Sequence, residues 1–484
     1  MNVRVVRRYE NLLPEGDDHP YRTGAWQPNL VEYDADDLDV IEGALPADLD
    51  GTYLRNTENP LLPAIGRYHP FDGDGMLHAI RFGGGKASYR NRMVPTVGLA
   101  AELEARAPLW AGIIEAPAKS TRDGWGARGR MKDASSTDVV VHAGNALTSF
   151  YQCGELYAHD VATLASRGPL AWSGGFGGGF GVSAHPKLDE VTGELLVFGY
   201  GTRAPYFSLG VVDRSGALVH EQPVPLPGPR LPHDLAFTEH YAIVGDFPLY
   251  WDPELLARGV HRPRWYPEQP TRFGVVPRRG GEVRWFEAAP TYVLHFINAY
   301  EDGNTIVLDG YFQTTPMPVP DPADGPWAGL KKMVDMGAMG ARPHRWRLDL
   351  VTGKVSEERL FDIVCEFPSI DGRVGGRRHR YAYAMTAKPG WFLFDGMRRF
   401  DLETGAVQAY AWPDGVYGSE GPVARRIGAT SEADGYVVTF VSDTVRDTSE
   451  CQVFDARHID VGPIARVRLP ERICAGTHAC WTAG

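Results

Sequence analysis

Cysteine is scarce in this 484-residue chain: five residues, Cys153, Cys365, Cys451, Cys474 and Cys480, an odd number with no CxxC pair. A dense disulfide framework and a cysteine-held zinc site are thereby excluded, and a reducing, cytoplasmic environment is expected. Long apolar runs are missing too. None approaches the roughly 18 residues of a membrane-spanning helix. The opening MNVRVVRRYENLLPEGDDHP carries arginines without an apolar core, so no secretory leader is expected. There is no excess of positive charge. The formal net charge is −12, which argues against a nucleic-acid surface.

Several catalytic signatures are absent as well. Trp172 to Gly181 reads WSGGFGGGFG but lacks the Gly-Lys-Ser/Thr ending of a phosphate loop. It reads as a mobile glycine-rich loop. No GxSxG elbow and no HExxH helix occur. Helical periodicity is sparse and is best over Leu99 to Arg106, Pro253 to Arg258 and Trp327 to Met336.

What is plentiful is strand and turn. Short apolar or alternating runs (AIRFG, VVVHAG, ELLVFGY, YAIVGDF, TIVLDGYF, WFLFDG, YVVTFVS) recur, each bounded by Gly, Pro, Asp or Asn. A weak internal repeat links them: DEVTGELL from Asp189, DRSGALV from Asp213, DLVTGKV from Asp349 and DLETGAV from Asp401, with HDVATL (His159 to Leu164) as a degenerate copy. Asp can bond its own backbone two residues on and Gly supplies positive φ, so each unit closes a tight hairpin. Hairpins spread over hundreds of residues fit a β-propeller of four-stranded blades. A large sandwich or two β domains stays open on this pattern alone. No linker divides residues 1–484, so a single domain is expected. The Pro-rich Gln313 to Pro326 and Met-rich Lys331 to Met339 form a long excursion, either lining a lipophilic entrance or packing on its own domain.

The chain has 15 histidines. His185, His233, His295 and His478 each lie beside a strand-like run and are separated by 48, 62 and 183 residues. Such gaps are too long for a local metal motif. On a propeller, residues far apart in sequence can still converge on one ion, and imidazole suits Fe, Cu, Ni and Zn. A lone strand histidine is more commonly a satisfied core residue, so spacing by itself decides little.

The motifs together resemble the carotenoid cleavage oxygenase family, which includes stilbene- and phenylpropanoid-cleaving members. The similarity runs from Gly51 to Trp481 and rests on GTYLRNTENP, YHPFDGDGMLHAIRF, SAHPKLDEVTGEL, LPHDLAF, VLHFINAYEDGN, EFPSIDGR, GSEGP and THACW. It implies an all-β fold: a seven-bladed propeller with a helical and loop dome over the active-site face. It implies one Fe(II) per chain on His185, His233, His295 and His478, with Glu366 behind His295 and Glu420 behind His478. A carboxylate there fixes the imidazole tautomer and raises its basicity. The third supporting position aligns to Gln152, which accepts a hydrogen bond without bringing charge. A lysine that touches a phenol stands there in the lignostilbene-cleaving branch, so phenol recognition of that type is not expected. RNTENP also carries Thr57 and Glu58 where the family has Gly-Pro, and His478 is followed by Ala479 in place of Gly.

The reaction this implies is cleavage of an alkene C=C bond by O2 into two carbonyl products. The expected substrate is a lipophilic carotenoid or apocarotenoid. A stilbenoid or phenylpropanoid alkene is the alternative. The rivals from other classes are a non-catalytic propeller used as a binding module and a zinc hydrolase using the same cage. No nucleic acid and no obligate protein partner are expected, and the lipophilic substrate leaves room for peripheral membrane contact. His69, His78, His142 and His379 are expected outside the metal set, and Asp72 and Asp74 of FDGDGM are expected to organise a turn.

Overall fold

A computed structural model describes residues 1–124 and 130–484. The backbone gathers into two compact units. Unit one comprises 1–184, 259–261 and 409–484; unit two comprises 185–258 and 262–408.

Unit two is a series of antiparallel sheets in up-and-down order. Lys187–Asp189, Glu194–Tyr200, Phe207–Val212 and Leu218–Pro223 form the first. Leu235–Phe237, Tyr241–Asp246, Thr271–Pro277 and Arg284–Ala288 form the second. Phe296–Asp302, Thr305–Phe312, Arg342–Asp349 and Val355–Arg359 form the third. Glu366–Ser369, Tyr381–Ala387 and Phe394–Asp401 continue the pattern.

Burial falls across each sheet in a way the sequence dictates. ELLVFGY, free of charge after Glu194, is buried at every position, as a strand covered on both faces must be. The fourth strand, LVHEQP, alternates half-buried and exposed residues, one face toward the sheet and one toward water. Each apolar side chain fully withdrawn from water contributes about 1.5–3 kcal/mol. The core is therefore concentrated in the inner and middle strands, around Phe273, Phe296, Ile306, Leu308 and Trp346.

The turn prediction holds at atomic detail. Asp349 Oδ1 accepts the N–H groups of Val351 and Thr352 at 2.8 and 2.9 Å, and Gly353 adopts φ 75°. Asp189 and Gly193, and Asp401 and Gly405, repeat this geometry. In the degenerate copy, Asp160 Oδ1 accepts from Ala162 and Thr163, and Leu164 itself takes φ 58°. A further turn escaped the pattern: Asp443 Oδ1 accepts from Val445 and Arg446, with Asp447 at φ 53°.

Unit one contains a sheet ordered Asn2–Arg8, Val31–Asp36, Lys86–Met93, Asp74–Gly83, Gly51–Arg55 and Ala479–Ala483. The last strand of the chain thus joins a sheet built by the first hundred residues, in the register Ala479↔Arg55 and Trp481↔Tyr53. Asp138–His142, Asn145–Ser149, Tyr157–Asp160 and Ser166–Pro169 make a four-stranded sheet. Gly435–Asp443, Thr448–Asp455, Ala465–Arg468 and Val40–Gly43 pair in that order within a longer sheet. Asp72 accepts the N–H of His69 at 3.0 Å and of Ile113 at 2.8 Å, and Asp74 faces Lys132. FDGDGM is therefore a turn organised by its aspartates.

Helices are few and short. Val97–Ala105 is capped by the Thr96 hydroxyl on Leu99 N–H, and Pro253–Leu256 is a single turn capped by Asp252. The expected helix from Trp327 to Met336 is two pieces, Ala328–Met333 and Met336–Met339. Asp335 accepts the N–H of Ala338 and so starts the second piece as an N-cap. Within Trp172 to Gly181, Ser173–Gly175 and Phe176–Gly179 form consecutive turns anchored by the buried Phe176, with Gly177 and Gly178 at positive φ. No helix among the described residues is long and apolar enough to cross a membrane.

Candidate metal centre

Three of the four expected histidines stand together in unit two. His185 precedes the strand Lys187–Asp189 by two residues, His233 precedes Leu235–Phe237 by two, and His295 immediately precedes Phe296–Asp302. Each therefore sits at the start of the first strand of its sheet. These first strands adjoin one another, and the imidazoles meet. Ring centroids are 4.6 Å apart for His185 and His233, 4.8 Å for His185 and His295, and 5.0 Å for His233 and His295. All three are buried.

The closest approach is between Nε2 of His185 and Nε2 of His233, at 3.0 Å. Two nitrogens bound to one ion at about 2.1 Å stand roughly 3.0 Å apart when the bonds are at right angles and roughly 3.4 Å apart when tetrahedral. The spacing therefore lets both nitrogens reach one ion. His185 reaches its position from a left-handed backbone, φ 63°. That conformation costs a non-glycine residue about 1–2 kcal/mol and is typical of functional sites.

Glu366 opens the strand Glu366–Ser369 and is fully buried. Its Oε2 lies 2.7 Å from Nδ1 of His295, and Oε1 accepts the His295 backbone N–H at 3.3 Å. With Nδ1 engaged, Nε2 is the nitrogen left for an ion. The next residue, Phe367, adopts φ 57°, donates its N–H to Glu366 Oε2 at 2.7 Å and packs edge-on against His295 at 4.8 Å.

Unit one carries the other expected residues. His478 immediately precedes the strand Ala479–Ala483 and is buried. Glu420 Oε2 lies 3.3 Å from its Nδ1 and accepts the N–H of Ala479 at 2.6 Å. Burial alone would pull the His478 imidazole down. The Glu420 carboxylate, through its charge and hydrogen bond, outweighs this and holds it above its ordinary value. Thr477 places its hydroxyl 2.9 Å from Glu58, whose carboxyl is pushed up to about 8 by burial. Gln152 is buried in the turn after Asn145–Ser149.

Three of the remaining histidines have structural tasks. His69 Nδ1 caps a short helix by accepting Phe71 N–H at 3.1 Å, His78 Nδ1 meets the Tyr89 hydroxyl at 2.7 Å, and His379 packs beside Asn298 and Asp309. Sequence reasoning missed Asp234 and Lys187. Their places beside His233 and His185 can be read in the sequence, but nothing local there shows that the two side chains meet.

Imidazoles gathered at the starts of adjoining strands, with a carboxylate behind one of them, make a candidate metal centre built on repeated β sheets. The chain belongs to the family described as retinal pigment epithelial membrane protein, whose profile matches residues 26–483, which is the carotenoid cleavage oxygenase family. It is similar to isoeugenol monooxygenase of Pseudomonas nitroreducens, at 30% identity over 96% of this chain and 98% of that one. Among solved structures it is similar to the lignostilbene dioxygenase of Pseudomonas brassicacearum (TM-score 0.84, 29% identity, 96% and 99% covered). It is also similar to the cobalt-substituted Synechocystis apocarotenoid oxygenase (TM-score 0.82, 26% identity, 95% and 98% covered). The fold class is accordingly the seven-bladed β-propeller, and the chain is an oxidoreductase of the alkene-cleaving, O2-using kind.

Proposed function

We propose that residues 1–484 work as one catalytic domain that cleaves a C=C bond of a carotenoid or apocarotenoid with O2, giving two carbonyl products. In this reading His185, His233, His295 and His478, all four buried, hold one Fe(II) per chain. The observation that carries the reading is the meeting of His185, His233 and His295 with Glu366 behind His295.

Bound there, ferrous iron supplies the one-electron chemistry by which O2 reacts with a closed-shell alkene. The protein's own residues hold and orient. Neutral nitrogen donors bring no charge to a 2+ ion, so Glu366 and Glu420 offset it from behind their imidazoles and keep each Nδ1 proton in place. Gln152 takes the third supporting position with an amide oxygen. The reaction balances without a reductant: both oxygen atoms of O2 end in the two carbonyls.

The uncharged Gln152 supports a hydrocarbon-like substrate over a phenol that a lysine would bind. A phenylpropanoid alkene is the second reading, favoured by the 30% identity to isoeugenol monooxygenase. The proposal includes a cytoplasmic location with peripheral access to lipid and no obligate protein partner. Mass spectrometry of products from a panel of carotenoids, apocarotenals, stilbenes and isoeugenol tests it. Paired aldehydes or ketones from one double bond of a carotenoid or apocarotenal are expected, and only in the presence of O2. Turnover of isoeugenol alone would replace the substrate. Product formed without O2 would overturn the chemistry.

A further inference from the structure

One carboxylate in unit two touches all three histidine-bearing segments. Asp234, whose side chain is fully buried, accepts the N–H of its neighbour Leu235 on Oδ1 at 2.8 Å. Its Oδ2 accepts the N–H of Phe296 at 2.9 Å. Lys187 Nζ lies 2.8 Å from Oδ1 and 3.0 Å from Oδ2. Lys187 is two residues past His185, Asp234 one past His233 and Phe296 one past His295. The three imidazoles therefore project from chain segments tied to a single side chain. The buried Asp309 of the same unit stands opposite Asn298 in the sheet, but its two oxygens are taken by Arg345 at 2.7 Å.

We propose that Asp234, with Lys187 as its counter-ion, is a positioning residue that sets the spacing of His185, His233 and His295. This rests on the reading that those residues hold Fe(II). Ligands at the ends of separate strands bind an ion tightly only when the strand ends are held in mutual register beforehand. Charge-assisted hydrogen bonds are the strong, directional kind suited to that task. An amide at this position cannot accept from the Phe296 N–H, the Leu235 N–H and the Lys187 ammonium together, because its –NH2 is a donor.

The test compares the native chain with Asp234→Asn, Lys187→Met and Asp309→Asn. Three quantities are read: the Fe(II) dissociation constant by chelator competition, the EPR signal of the nitric oxide adduct of the ferrous protein, and the thermal unfolding midpoint. Asp234→Asn is expected to bind iron about 10–100-fold more weakly and to shift the EPR rhombicity. Lys187→Met should move both in the same direction by less. Asp309→Asn should unfold at lower temperature yet bind iron as the native chain does. Native iron affinity and EPR in folded Asp234→Asn would overturn the proposal, as would an equal loss in Asp309→Asn. Should Asp234→Asn not fold, native affinity in Lys187→Met overturns it. A native chain that binds no iron would instead refute the metal reading itself.

Discussion

Glu366 uses one carboxylate for three contacts: the ring and the backbone of His295, and the backbone N–H of Phe367. The left-handed turn at Phe367 lets the carboxylate fold back on its own chain while the phenyl ring covers the imidazole. Replacing Glu366 by Gln swaps an acceptor for a donor at one oxygen and removes a charge. Iron affinity or turnover is expected to fall by about 10–100-fold, read by metal analysis after dialysis and by steady-state rate. An unchanged enzyme would remove Glu366 from the support of the metal. The partnership of Glu366 with His295 was legible only through the family resemblance, since 71 residues separate them. Asp234 was not legible at all as a shared contact. Its reach to Lys187 and Phe296 depends on which first strands adjoin, and no local pattern encodes that.

At the scale of elements, the Asp-x-x-x-Gly turns were readable because their physics is local. Gly353 sits at φ 75° with nothing within 4 Å of an added Cβ. Gly353→Ala should therefore destabilise by backbone strain alone, about 1–2 kcal/mol, measured by urea unfolding. A cost near zero would show the turn to be incidental. Leu164 makes the converse case, because it pays the same strain but is buried among Leu54, Leu77, Val94 and Tyr157. Leu164→Gly relieves about 1–2 kcal/mol of strain and forfeits about 2–5 kcal/mol of packing. A net loss is expected, and a more stable variant would contradict it. The turn from Asp443 to Asp447 was missed because a non-glycine residue takes the left-handed position. The break at Asp335 was missed because an N-cap inside an apolar stretch gives no change of periodicity.

For the whole molecule, burial sets a stability optimum in pH. Burial holds His69 down at about 3, His159 and His379 at about 4, and His78 well below its ordinary value. Unfolded, these histidines protonate near 6.5. Their contribution is present above that pH and is lost as pH falls through it toward the folded values. Burial acts oppositely on acids, lifting Glu58 to about 8, Glu471 to about 7 and Asp74 to about 6. Their contribution is present at low pH and is lost as pH rises from the ordinary carboxylate value of about 4 to those values. The metal-free protein should therefore show a maximum in unfolding temperature at about pH 6, declining on both sides. A midpoint that rises or falls monotonically from pH 5 to 8.5 would contradict this balance.

The strand-rich character of the whole chain was legible in its runs and turns, and the histidine-bearing strand starts could be named from sequence. The central claim, that His185, His233, His295 and His478 share one ferrous ion, is tested most directly by metal analysis of the iron-reconstituted chain beside its four single His→Ala variants. The account predicts one iron per native chain and loss of bound iron in every variant, His478→Ala included. Full occupancy in any one of the four would contradict it.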